Sequence, residues 1–187
     1  MSGMVAAGTE VAYTVTWLEM TGRPDSPWPH QPSGPPASLL VADKPPGWYF
    51  LALYDAVGRD HAWEDMHSHA GQELEAWLSD PAVTLHSLMR QGWPAGFFVL
   101  DGTEEGVVDI AYFGLVPQAL GVGLGQFLLG TAIHTAWDQP GTQKLTVNTC
   151  TLDHPRALGL YQKMGFVPVR REERRRTLTR PIPEPPC

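Results

Sequence analysis

The stretch that most narrows what this chain can fold into runs from Val107 to Trp137, where a strand-like segment meets a glycine-rich turn and then an apolar helix. Val107 to Leu115 alternates like a strand, and Gly121, Gly123 and Gly125 follow at alternate positions. Beyond them Leu124, Leu128, Ala132 and Ala136 form one helical row and Leu129, Ile133 and Trp137 the next, a face wide enough that the helix must pack on a sheet. Glycines so placed give the backbone conformations closed to other residues, so consecutive N–H groups can converge on an anion at the helix N-terminus, although many such turns merely join a strand to a helix. Two better-known phosphate loops are excluded by the same residues. No Gly-Lys-Ser or Gly-Lys-Thr is present, and the last glycine of a GxGxxG pattern would have to occupy position 126 or 128, where Gln126 and Leu128 stand.

A second ordered stretch follows. Lys144 to Cys150 reads as a strand, and Asp153 or His154 is expected to cap a helix with Pro155 in its first turn. Ala157, Leu160, Tyr161 and Met164 lie along one side of that helix, Gly165 ends it, and Phe166 to Val169 starts another strand. Upstream, Val11 to Met20 is a first strand, Pro46 opens a helix closed by Gly58, and a short helix covers Gln72 to Leu78. Val83 to Met89, Phe97 to Leu100 and Val107 to Leu115 form an antiparallel meander, with a turn at Gln91, Gly92 and Pro94 between the first two. Eight of the eighteen prolines fall between Pro24 and Pro46, which rules out a central strand or helix there. Residues 22–47 are therefore a long loop, read as an acceptor-side flap packed through Trp28 and His30, and residues 181–187 are a frayed tail. The expectation is one domain over residues 1–187 of α/β (α+β) class, with a mixed, mostly antiparallel central sheet flanked by helices.

Pro117, Gly121, Gly123, Gly125 and Leu128 match the acetyl-CoA loop of the GNAT superfamily of N-acetyltransferases. Ala157, Leu160, Tyr161, Lys163, Gly165 and Phe166 match its second cofactor motif, N-x-x-A-x-x-x-Y-x-x-x-G-F. The chain thus resembles that superfamily over about sixty residues, and its wording around Ala111 to Leu115 and Thr149 to Pro155 is similar to an uncharacterised bacterial branch. Two departures stand out: Leu120 replaces the usual Arg or Gln, and His154 replaces the usual Asn. The resemblance implies an acetyl-CoA-dependent transferase acting on a primary amine of a small molecule or peptide, by direct attack. It also implies contacts to the cofactor from Leu115, Val116, Leu120, Gly121, Val122, Gly123, Leu124, Gly125, Gln126, His154, Ala157 and Tyr161, with the backbone of Leu115 and Val116 meeting the pantetheine arm and the thioester oxygen.

Acetyl transfer needs a neutral amine, stabilisation of the carbonyl oxygen and a proton for the departing thiolate. Tyr161 occupies the family's usual general-acid position; the other reading is a packed aromatic on an amphipathic helix. Asp109 is the only carboxylate within its strand and is the candidate base, acting directly or through water; an Asp near a strand edge is otherwise simply solvated. Simple alternation puts it on the face of Ala111 and Phe113. Cys150 reads as a small buried hydrophobe rather than a nucleophile. His67 and His69 beside Asp65 are the only histidines with any metal-like setting, and no metal is expected. Trp48, Tyr49, Tyr54, Asp55, Asp60, His61, Trp63, Glu64 and Asp65 either shape the acceptor pocket or divide between core and surface. The alternative function is a non-catalytic acyl-CoA sensor, which would need neither Asp109 nor Tyr161.

Charge narrows the partners. The net charge is −7, and Arg170, Arg171, Arg174, Arg175, Arg176 and Arg180 supply six of the thirteen basic residues, leaving the rest strongly acidic. Such a body repels nucleic acid and favours neutral or cationic small partners. The arginine run is either a solvated strand paired with Glu172 and Glu173 or a contact for coenzyme A phosphates. Two cysteines suggest no disulfide framework, and no apolar run approaches the roughly 20 residues needed to span a bilayer. A cytoplasmic setting is expected, with no membrane partner, and a homodimer is allowed.

Overall fold

A computed structural model describes residues 3–68 and 71–184. Its central sheet has seven strands in the order β3-β4-β5-β6-β7-β2-β8: β2 (Glu10–Met20), β3 (Ala37–Ala42), β4 (Val83–Arg90), β5 (Trp93–Asp101), β6 (Val107–Leu115), β7 (Lys144–Cys150) and β8 (Val167–Thr177). Every neighbouring pair is antiparallel except β6 with β7. That parallel pair needs a crossover, and the apolar helix α4 (Leu124–Trp137) supplies it. The remaining helices are α1 (Gly47–Gly58), α2 (Asp65–Ser68), α3 (Gln72–Ser79) and α5 (Ala157–Lys163). A separate ribbon pairs β1 (Met4–Val5) with β9 (Ile182–Pro183).

Two neighbours on β6 show how the layers are arranged. A Cβ on Gly114 would strike Val57 of α1, whereas Leu115 reaches Gly125 of α4. Adjacent strand residues face opposite ways, so α1 covers one face of the sheet and α4 the other. Tyr112 follows Gly114 and packs its ring on Phe50 and Tyr54; Phe113 follows Leu115 and meets Tyr161 of α5. The core fills both layers, with Phe50, Leu53, Leu74 and Phe97 on one side and Leu124, Leu128, Leu129 and Ile133 from α4 on the other.

Several local expectations need correction. The proline-rich segment contains the edge strand β3, where a missing neighbour on one side tolerates its surroundings. Its remainder is no acceptor-side flap: Trp28 stacks on His134, Pro29 abuts Gly130 and Pro32 abuts Gly123, so it runs along the outer face of α4. Pro94 lies inside β5 rather than in the turn, next to a bulge that accommodates its missing N–H, and Gln91 and Gly92 alone make the turn at φ 52 and 85°. The chain from Pro181 to Glu184 is held by β9 and the buried Ile182, while 185–187 lie outside the described residues. Asp153 does not cap α5, whose N-cap is Arg156.

Candidate active site

Strands β6 and β7 pair only from Val107 to Asp109 against Lys144 to Thr146. Past that point β6 stays with β5 as far as Leu115, and β7 stays with β2 as far as Cys150. The sheet therefore forks, and a cavity of about 380 Å³ occupies the gap. Ile110 to Leu115 form one wall and Asn148, Thr149 and Asp153 the other; Gly121, Gly123, Gly125 and Gln126 close one end, His61 and Trp63 the other, and Tyr161 lies between.

At the glycine end, Gly121 and Gly123 stand at φ 80 and 81°, a left-handed geometry that lets the turn enter α4 without a side-chain cap. Among the described residues, no acceptor exists for the consecutive N–H groups from Gly121 to Gln126; the next one, on Phe127, bonds the carbonyl of Gly123. A row of free donors at a helix N-terminus is an anion site in waiting. Gly125 keeps the passage open, since a Cβ there would point between Leu115 and Leu160 at 3.8 Å from each. Leu120, Gln126, His154 and Ala157 line the cavity; Leu120 is exposed, and so is Val122, which does not line it. Val116 and Leu124 are buried beside it, and the N–H of Val116 is already taken by the carbonyl of Ala95. Lys163 donates to Gln126, tying the end of α5 to the start of α4.

Tyr161 is buried against Phe113 and Phe166, and its hydroxyl has no hydrogen-bond partner among the described residues. Burial, reinforced by Asp153 and Asp109, drives its phenol well above the ordinary range, so it holds its proton at any neutral pH. Asp109 sits at the vertex of the fork and does not line the cavity. Strand alternation fails to place it because a bulge at Ala111 shifts the register: Tyr112 lies opposite Val99 and Asp109 opposite Asp101, which turns Asp109 to the Tyr112 face rather than that of Phe113. Burial raises its carboxyl, opposed by a hydrogen bond from Thr146 and assisted by Asp101 and Glu104.

Asp153 is the carboxylate that does line the cavity. Its Oδ1 accepts from the indole N–H of Trp63 at 2.9 Å, and its Oδ2 accepts from Thr149 at 2.7 Å and from the N–H of Cys150 at 2.8 Å. The sequence hid this role because an Asp before a proline-started helix reads as a cap. Arg156 also lines the cavity and has no ion-pair partner among the described residues. Beside it His154 is held below its usual pKa by burial, His61 and Arg156. Burial pushes the Cys150 thiol up to about 11, which leaves no thiolate at neutral pH.

The segment from Trp48 to Asp65 takes part less than its composition suggests. His61 and Trp63 reach the cavity, but Tyr54 is core and Trp48 is 70% exposed. Asp55, Glu64 and Asp65 pair instead with Arg176, Arg180 and His67. Arg176 and Arg180 also donate to the carbonyls of Ala62 and Trp63, so the arginine run latches this loop while Arg170 and Arg174 lie over Trp17. None of the six arginines lines the cavity. No group of three or more metal-binding side chains occurs among the described residues, and His69 lies outside them. No described helix is long and apolar enough to cross a membrane.

The sequence profile of the acetyltransferase (GNAT) family matches residues 50–166. No curated protein matches by sequence. Among solved structures the chain is similar to a GCN5-related N-acetyltransferase from Sphaerobacter thermophilus, at a TM-score of 0.61 and 19% identity over 96% of this chain and 54% of that one. A GCN5-related N-acetyltransferase from Kribbella flavida gives 0.57 and 18%, over 92% and 59%. The aminoglycoside N-acetyltransferase AAC(6')-Iy in complex with CoA gives 0.53 and 18%, over 75% and 95%. The chain thus spans only a little over half the length of the first two.

Proposed function

The chain belongs to the GNAT acetyltransferase family, and from that premise we propose that it transfers an acetyl group from acetyl-CoA to a primary amine within the forked cavity. The observation that carries this reading is the row of unbonded N–H groups from Gly121 to Gln126, opening onto a cavity with Tyr161 in its wall. Backbone donors of this kind take a pyrophosphate without a cationic side chain. Leu120 gives the turn none, and unpaired Arg156 on the facing wall supplies the positive charge in its place.

In the proposed reaction the amine nitrogen bonds to the acetyl carbon, the carbon–sulfur bond breaks, and the Tyr161 phenol gives its proton to the departing sulfur. The nitrogen loses a proton in the same step, which restores the phenol by relay, and one further proton goes to solvent for each ammonium consumed. Asp109 is proposed as the base. Its place at the fork vertex, out of the cavity wall, supports action through a bridging group such as water rather than direct contact.

The test is ligand-induced stabilisation followed by turnover. Acetyl-CoA at a hundred times its dissociation constant should stabilise the protein by about 2.7 kcal/mol, while NADH and ATP should not. Thiol release with an amine panel then separates an enzyme from an acyl-CoA sensor. No thermal shift with millimolar acetyl-CoA would remove the assignment.

A further inference from the structure

We propose that Asp153 docks the ammonium group of the acceptor, and that the acceptor is a primary monoamine carried on a slender or flat, apolar body. The inference rests on the acetyl-transfer reading of the cavity. Its own support is the position of Asp153 between the two faces of the sheet. Through Trp63 it is tied to the α1 side, where that indole packs on Tyr54 and Tyr112. Through Thr149 and Cys150 it is fixed to the end of β7, and it lies close enough to Tyr161 on the α5 side to disfavour ionisation of that phenol. An amine entering past His61 and Trp63 would therefore meet Asp153 before it reached the part of the cavity that Tyr161 lines.

The hydrogen bonds leave capacity for a substrate. Oδ1 accepts a single bond, from Trp63, and a carboxylate oxygen can accept two. The three donors fix the carboxylate's orientation, which a recognition group needs.

Charge count sets the acceptor class. Among the described residues, Asp153 is the only acidic one in the cavity lining, which also contains Arg156 and the two histidines His61 and His154. Of the other carboxylates near the α1 end, Asp55 pairs with His67 and Arg180, Glu64 pairs with Arg176 and Arg180, and Asp60 lines a separate pocket. One carboxylate suits one ammonium, and a polycation would find no second counter-ion on this wall. Around Asp153 the acceptor end presents Val57, Trp63 and Tyr112, apolar and aromatic surfaces that favour a slender or planar hydrocarbon over a sugar.

The experiment uses the full chain in two arms. Coenzyme A binding by calorimetry tests the cofactor reading alone. Thiol release is then measured with four acceptors: 2-phenylethylamine, n-hexylamine, the polycation kanamycin and the zwitterion glycine. The expected result is turnover of the two monoamines with a kcat/KM at least tenfold above the other two. Asp153→Asn should raise the amine KM at least tenfold and leave coenzyme A affinity within about twofold. Should that variant fail to fold, Trp63→Phe keeps the carboxylate and removes one of its anchors, and it should raise KM for 2-phenylethylamine more than for n-hexylamine. If coenzyme A does not bind, the transferase reading falls and this inference with it. If coenzyme A binds but kanamycin or glycine is preferred, no monoamine turns over, or Asp153→Asn leaves the amine KM unchanged, the acceptor assignment alone is overturned.

Discussion

At the Gly121–Gln126 end of the cavity the polar surface is mostly main chain, presented by a turn whose shape is set by its own glycines. At the His61–Trp63 end it is side chain, carried on a loop held by residues 90 or more positions away: Asp153 on the Trp63 indole, Arg176 on the Ala62 carbonyl and Arg180 on the Trp63 carbonyl. A site made of backbone survives changes of side chain and breaks only when the backbone is denied its conformation. A site made of latched side chains can be retuned by changing the latch. One fold can in this way keep a common donor and vary its acceptor, and the sharpest tests are those that hit one end and spare the other.

The largest effect is expected between the two ends. Tyr161→Phe should leave acetyl-CoA affinity intact, because binding rests on the main-chain donors and apolar walls. A general acid contributes a factor of about 10² to 10⁴, so the loss should be of that size and should fall on kcat. Unchanged kcat with an acceptor the wild type uses would make Tyr161 a packing residue and leave proton delivery to water.

Next comes the main-chain end. Gly123 stands at φ 81°, and a Cβ there would approach Pro32 at 3.3 Å. A left-handed conformation costs a non-glycine residue roughly 1–2 kcal/mol, more when β-branched. Gly123→Val should therefore relax the turn, scatter the N–H groups and weaken coenzyme A binding by about tenfold or more, each tenfold being about 1.4 kcal/mol. Normal affinity in that variant, measured by calorimetry, would move the phosphates elsewhere.

This asymmetry also explains what the sequence disclosed. The glycine turn, α4, α5 and the Gly165–Phe166 step are local, so their spacing revealed them, and the neighbours β4, β5 and β6 followed from the meander, whereas the place of β2 between β7 and β8 did not. The fork's electrostatics are not local. Ala111 looks like any strand residue, yet the bulge there turns Asp109 to the other face. Asp153 looks like a helix cap until the fold brings Trp63 to it. The arginine run reads as solvated charge because its partners, Asp55 on α1 and Glu64 on the loop after it, are brought to it by a docking no spacing predicts.

A smaller effect tests that docking. Arg180→Ala removes the contacts to Asp55, to the Trp63 carbonyl and to the buried Glu64, which keeps Arg176 and the N–H of Thr179. Removing a partner from a buried polar group costs about 1–3 kcal/mol, which in a chain of this size lowers Tm by roughly 2–12 °C. The amine KM should rise while coenzyme A affinity stays, and Arg180→Lys should restore little, since one ammonium cannot span both contacts. Equal losses of amine and coenzyme A affinity would mean that the two ends are not independent.

The smallest expected effect concerns the sign of a pH dependence, and it sets two carboxylates against each other. Burial raises Asp109, and the Thr146 hydrogen bond does not offset it. In the unfolded chain this group ionises at its ordinary value of about 3.9. Through the window between that value and the raised folded one, the unfolded state has released a proton that the folded state keeps, so stability falls as pH rises and stays lower above it. At Asp55 burial is outweighed by hydrogen bonds from His67 and Arg180, and the carboxyl is lowered. Its stabilisation is present above the unfolded value and is lost as pH falls through the lowered folded one. Replacing each by Asn should thus move Tm at pH 7 in opposite directions: up for Asp109→Asn, because an amide carries no charge to desolvate and still accepts from Thr146, and down for Asp55→Asn. Both differences should shrink as pH is lowered, that of Asp109→Asn vanishing below about pH 3.9 and that of Asp55→Asn persisting further into acid. Thermal melts of the three proteins from pH 3 to pH 8 decide the matter, and a fall in Tm for Asp109→Asn at pH 7 would mean that its ionised form is stabilised at the fork by contacts stronger than the burial that opposes it.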